Sequence, residues 1–447
     1  MKRIFPGLAA LLLVACSNDS DLPEATGKAN FRMINAIPTS GEISFLVEER
    51  SIGTARYKDV TAASEWDDLT YNFNFEAFFA GDSEFTRIAT QFVDATANRD
   101  YTFMISGSIA TPTISLFEDD VREFEETETV FASKFVHASP SSGALDYYFA
   151  DAATLPAPGG QAATLSFGEI STAADFPEGD YVLTITTAGD STDVIYQSEP
   201  VQFASRNTQF VTLFDADAND RGPLTAEALS ATGLSVTMPD PSYPPGIEFV
   251  NISMDLGASD IYDDEQLTSL ILENHDYLDI SGELDVVSGE NNFYYTPTGD
   301  TTAFVLEGSL SASNGRRYRF YATGVAGDLG TAAVIPDRQP IDTSAKLTMF
   351  HGSNNFELLD LYIVDADTSI DDVFPARGAI PPGAQTSTVP LPAGSFDIYI
   401  TEFGEKVALA GPYRIDATLG DIIDFVAVDA VDPAVVDVLF LSGGPAP

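Results

Sequence analysis

The sequence predicts an all-β chain folded as four β-sandwich modules in tandem behind an export leader. Two observations carry this. The stretch KFVHASPSSGALD at 134–146 has relatives beginning at Phe31, Ile247 and Leu347, so the chain is a fourfold repeat. Beyond the leader, the apolar runs are short, rich in β-branched and aromatic residues, and bounded by Gly, Pro, Ser or Asn. None of any length keeps the 3.6-residue period of a helix. Runs of about 100 residues holding several such strands suit sandwiches better than one large barrel.

The relatives align on one polar position, Asn35, His137, Asn251 and His351, at spacings of 102, 114 and 100 residues. Two residues earlier stand Met33, Phe135, Phe249 and Met349. Nine residues later, with no gap, stand Ser44, Asp146, Asp260 and Asp360.

At the N-terminus, Lys2 and Arg3 precede an apolar run, 4–14, that is too short to span a bilayer as a helix, which takes about 20 residues. This is the pattern of an export signal. Its end, Leu13-Val14-Ala15-Cys16, resembles the lipobox of bacterial lipoproteins. The resemblance implies a signal peptide over 1–15 and lipid on Cys16, whose thiolate is the right nucleophile for a thioether. Ser17, where Asp would signal retention, favours the outer membrane, on its periplasmic or outer face. Several acyl chains together anchor stably. Cys16 is the only cysteine, so no disulfide framework exists and each module depends on its core. Residues 16–30 are polar and aperiodic and read as a flexible tether.

The net charge of −47 argues against nucleic acid, which needs a basic surface to displace counterions. It argues equally against an electrostatic grip on anionic lipid. Such a surface favours solubility.

The first module is expected over 31–120, with strands at 31–34, 43–47, 101–105 and 114–117. In 71–75, alternation places Tyr71, Phe73 and Phe75 on one face, as core residues should be. Residues 118–129 are acidic and read as an extended linker. The second module spans 131–232. Its Phe176-Pro-Glu-Gly-Asp-Tyr has a twin in Leu391-Pro-Ala-Gly-Ser-Phe, a turn feeding a strand, with Gly179 and Gly394 expected at positive φ. Residues 238–245 (MPDPSYPP) read as a stiff hinge. The third module, 246–336, is the most diverged, and the fourth spans 345–441.

The pattern Phe135-Val136-His137-Ala138-Ser139-Pro140 with Leu145-Asp146-Tyr147, the Pro-x-Gly turn and a later aromatic-led strand resembles the DUF4397 family of bacterial exported proteins. The fourth module matches at His351, Ser353, Leu359, Asp360 and Tyr362; the first and third carry Asn for His, and the first has Ser44 for Asp. The resemblance implies tandem immunoglobulin-like β-sandwiches and no particular reaction.

Chemistry is expected in few places. A His or Asn nine residues before an Asp or Ser suggests polar pairs bonded across adjacent antiparallel strands: Asn35–Ser44, His137–Asp146, Asn251–Asp260 and His351–Asp360. A slot that takes Asn as readily as His points to hydrogen bonding and not proton transfer. The three histidines, His137, His275 and His351, fall in three modules, which disfavours zinc. Asp215, Asp217, Asn219 and Asp220 offer oxygen ligands at alternate positions, the spacing calcium prefers, though Asp220 stands where an EF-hand has Gly. The residues therefore suggest a lipid-anchored, non-enzymatic envelope protein without a resident cofactor. It would serve as spacer, adhesin or binder of another envelope protein or a glycan. The alternatives are an accessory or hydrolytic enzyme acting on cell-surface polymer and a calcium-dependent adhesin.

Overall fold

The computed structural model describes residues 24–151 and 157–442. The leader, Cys16 and the start of the tether lie outside the described residues. Among those described there is no helix; the strands form eight sheets that pair into four sandwiches, each around its own apolar core.

The first sandwich sets the wiring. Its strands are β1 (Lys28–Ala36), β2 (Ile43–Val47), β3 (Arg50–Ala55), β4 (Ser64–Asp67), β5 (Thr70–Ala77), β6 (Thr86–Asp94), β7 (Arg99–Ser108) and β8 (Thr111–Asp120). One sheet has the order β4-β1-β7-β8 and the other β3-β2-β5-β6. β1 and β7 run parallel; the other pairs are antiparallel. The other three sandwiches repeat this order, the second adding short strands at Val201–Phe203 and Ser235–Thr237. The sandwich expectation holds, but the strand order is not the A-B-E-D over C-F-G of an immunoglobulin constant domain.

This order explains the repeat motif. β1 and its counterparts Val130–Ala138, Gly246–Asn251 and Ala345–His351 lie mid-sheet and are buried on both faces almost throughout. Strands covered on both sides read as near-continuous apolar runs, and these became the most recognisable stretch of each copy. In β5 the alternation acts as expected: Phe73 and Phe75 are fully buried and Tyr71 packs on the same core. Phe31, Phe45, Phe73 and Phe103 meet there with neighbouring centroids 4.6–5.6 Å apart.

The modules do not form a jointed rod. The outer face of the β1-containing sheet in module one packs on that of module two through Ile34, Met104, Val136 and Phe210. Modules three and four repeat this with Val250, Tyr321, Phe350 and Val426; Tyr321 stacks on Phe350 at 4.2 Å. Buried ion pairs lie among these apolar contacts. Lys134 reaches Asp119 at 2.7 Å across the first interface, and Arg319 meets Asp424 across the second. Modules two and three join where Arg221 holds Glu283 at 3.1 Å and Asp285 at 2.7 Å. The strap leading into module four returns to module one: Asp342 N donates to Thr39 O at 2.8 Å, and Ala80 N to Thr343 O at 2.9 Å. The four modules therefore close on themselves.

Three boundaries need correction. Lys28–Asn30, placed in the tether, are paired strand residues. Residues 118–120, read both as the end of module one and as the start of the acidic linker, pair with 99–101 in β8 and belong to the module. Met238, placed in the hinge, is fully buried in the core of module two, where its carbonyl accepts from Tyr196 Oη, so this segment is packed structure and not a bend. Gly394, expected at positive φ, enters its strand without it, whereas Gly179 has φ 155°.

Candidate functional site

The repeated polar residues come first, because any chemistry shared by all four modules would reside in them. Their expected pairing does not occur. β1 and β2 belong to opposite sheets, so the two members of each pair are not neighbours on adjacent strands. The Asn and His members bind backbone instead, and Asn35 Nδ2 also donates to Ser40 Oγ at 2.9 Å. Asn35 Nδ2 donates to Ala55 O at 3.1 Å and Asn251 Nδ2 to His275 O at 3.4 Å; His351 Nδ1 faces Ile380 O at 2.8 Å. Ala55, His275 and Ile380 each end the third strand of their module, so this slot ties the first strand of one sheet to the third strand of the other. Asn35 Oδ1, His137 Nδ1 and Asn251 Oδ1 each accept the N–H two residues on, at 3.0, 3.3 and 3.1 Å. His137 Nε2 and Asn251 Nδ2 each meet the carbonyl six residues on, at 2.8 and 2.9 Å. A neutral imidazole and an amide both offer one donor and one acceptor here, which is why they interchange. Burial lowers the pKa of His137, His275 and His351 and keeps them neutral.

The aspartates fix a different joint. Asp146, Asp260 and Asp360 accept from the backbone N–H of Gly189, Gly299 and Gly404 at 2.8, 2.8 and 3.0 Å. These glycines turn the chain between the fifth and sixth strands at φ 84°, 76° and 79°. The other carboxylate oxygen holds the third strand: Asp146 accepts from Thr164 Oγ1, Asp260 from Asn274 N and Asp360 from Ala379 N. Ser44 supplies no carboxylate in module one. There the fifth and sixth strands are joined by 78–85, which leans on the strap into module four: Ala80 bonds Thr343, and Gly81 lies against Pro392.

The residues proposed for calcium do not converge on a common point. Lys58 Nζ sits 2.8 Å from Asp217 and 2.6 Å from Asp220. Asp215 accepts from the hydroxyls of Ser139 and Ser141, and Asn219 Oδ1 accepts Arg338 N at 2.5 Å. A lysine occupies the place expected for the ion, and among the described residues no group of three His, Cys, Asp or Glu is arranged to hold a metal. Burial alone would lower the Lys58 pKa; Asp220 and Asp217 outweigh it and raise it. Glu227 nearby is pushed up to about 7, chiefly by burial.

Beside this lysine opens a cleft of about 650 Å³ to which all four modules contribute. Module one gives Phe78 and Phe85, module two Asp217 and Asn219, module three Arg316, and module four Lys346 and Thr388, with the strap 337–344 between. Phe78 and Phe85 are 39% and 54% exposed, 5.5 Å apart and tilted 60°, unlike the core aromatics that precede them. Ser344 lines the wall at 3% exposure, and its hydroxyl has no hydrogen-bond partner. In the sequence Phe78 and Phe85 follow on the core aromatics of 71–75, and nothing local sets them apart.

The family profile described as "Domain of unknown function (DUF4397)" matches residues 29–148 and 245–362, together more than half of the chain. Each match covers one module and the first two strands of the module packed on it. No curated protein matches the sequence. Among solved structures, the Bacillus anthracis TIE protein aligns over 88% of this chain and 69% of its own at 10% identity. Its TM-score of 0.16 is too low to carry an argument.

Proposed function

The chain belongs to the DUF4397 family, and from that premise we propose that it is a non-enzymatic binding protein of the cell envelope, held at the outer membrane by lipid on Cys16. The observation that carries the reading is the use made of the repeated polar residues. His137, Asn35 and Asn251 bond within their own module, as do Asp146, Asp260 and Asp360, mostly to backbone; His351 Nδ1 meets the Ile380 carbonyl while its Nε2 is buried without a partner. Groups engaged in this way set strand positions and are not poised for acid–base work. The closed packing supports a rigid platform over an extendable spacer, since opening it would expose buried ion pairs and apolar faces.

The test is a comparison of wild type and Cys16→Ala in an outer-membrane fraction, followed by affinity capture of material retained by the wild type. The expected result is that the wild type sediments with the membrane and Cys16→Ala does not. The mature chain should retain envelope polysaccharide or protein without shortening it. New reducing ends released from cell-surface polysaccharide would refute the non-enzymatic part. Membrane retention of Cys16→Ala would refute the anchor.

A further inference from the structure

We propose that the four-module cleft is a carbohydrate-binding site, taking a short neutral oligosaccharide with one ring laid against Phe78 and Phe85; this rests on the binding reading above. Three observations converge on it. The first is departure from the repeat. Modules two, three and four use the carboxylate on their second strand to hold a glycine turn between strands five and six. Module one has Ser44 in that position, and its turn instead carries two exposed phenylalanines into the cleft wall. A turn held by the strap at Thr343 and not by its own module, with two solvent-facing rings, is placed to face something other than its own core.

The second is the buried Ser344 hydroxyl, a donor and acceptor left without a protein partner where the strap borders the cleft. An unmade hydrogen bond at a buried hydroxyl costs free energy that a ligand hydroxyl or water would recover. The third is charge. In a chain with 68 acidic and 21 basic residues, the cleft is lined by four of each sign. The cations are Arg56, Lys58, Arg316 and Lys346. Anionic ligands would approach against the field of the whole molecule, and the local balance gives them no net attraction. Cations have the acidic surface elsewhere and no carboxylate cage here. A neutral polyhydroxyl ligand pays no such electrostatic cost. Its C–H face suits an aromatic surface, and its hydroxyls both donate and accept, matching mixed carboxylate, guanidinium and hydroxyl walls. The volume lies within the range of small-ligand sites.

The test is titration calorimetry on the mature chain with maltotetraose, cellotetraose, mannotetraose and chitotetraose as probes. At least one is expected to bind, at least tenfold more weakly to Phe78→Ala/Phe85→Ala, and several-fold more weakly to Ser344→Ala. Both rings are exposed, so the double variant should melt with the wild type; Phe85→Ala, at the more exposed ring, serves as the milder check. Failure of all four probes to bind overturns the proposal, as does equal affinity for wild type and double variant. Anchoring is read separately by the Cys16→Ala fractionation, so failure here leaves that result standing.

Discussion

Replacing Lys58 by Met should be among the most damaging single changes in this chain. The ammonium lies 2.8 and 2.6 Å from two carboxylates, and the side chains of Lys58, Asp217 and Asp220 are only 11%, 6% and 4% exposed. Methionine keeps the length and removes the charge, leaving two buried carboxylates close together without their cation. Removing one partner of a buried pair costs about 3–5 kcal/mol. For a unit the size of a module pair, each kcal/mol moves the melting midpoint by about 2–4 °C, so the expected drop is roughly 6–20 °C. Carboxylates without a cation are relieved by taking up a proton, so the deficit at pH 5 should be smaller than at pH 7.5. Calorimetry of the mature chain at both values reads this directly. Adding Asp217→Asn and Asp220→Asn to Lys58→Met should restore most of the midpoint. A drop under 2 °C at pH 7.5, or no recovery in the triple variant, would refute the assignment of Lys58 as the cation of this loop. Because the folded pKa of Lys58 is raised, its contribution is fully present below about 10.5 and is lost as pH rises through the folded value.

The remaining predictions concern the repeat and its interfaces. His137→Asn should cost under about 1 kcal/mol, because modules one and three already use Asn in that slot, whereas His137→Leu should cost about 1–3 kcal/mol by stranding the Ser139 N–H and Gly143 carbonyl; urea melts separate the two. The buried histidines have lowered folded pKa values, so their contribution holds above about pH 6.5 and is lost as pH falls from there through the folded values; His137→Asn should flatten part of that acid slope in a melting series. Asp360→Ala removes the acceptor of two backbone N–H groups and should cost about 2–4 kcal/mol, with hydrogen exchange accelerating first at Ala379 and Gly404. Phe350→Ala removes the ring stacked on Tyr321 and should cost about 3–5 kcal/mol, loosening modules three and four from each other in small-angle scattering.

Much of the architecture was legible in the residues alone. Alternation in 71–75, the bounded apolar runs and the fourfold motif are local signals, and local signals specify strands and their repetition because side chains alternate strictly along a strand. The exchange of His for Asn rightly suggested a hydrogen-bonding slot. Partner choice was not legible. Which carbonyl Asn35 reaches depends on β1 and β2 lying in opposite sheets, a consequence of long-range strand pairing that spacing along the chain does not encode. The acidic run at 215–220 met an ion-binding pattern, yet its counter-ion is Lys58, over 150 residues earlier, brought there only by packing of module one on module two. The phenylalanines at 78 and 85 look like their core neighbours in sequence, and their exposure was decided by four modules closing around one cleft. Backbone preference and side-chain period act over a few residues and can be read in order. Burial, ion pairing and cavities arise between surfaces distant in the chain, so only the assembled fold decided them.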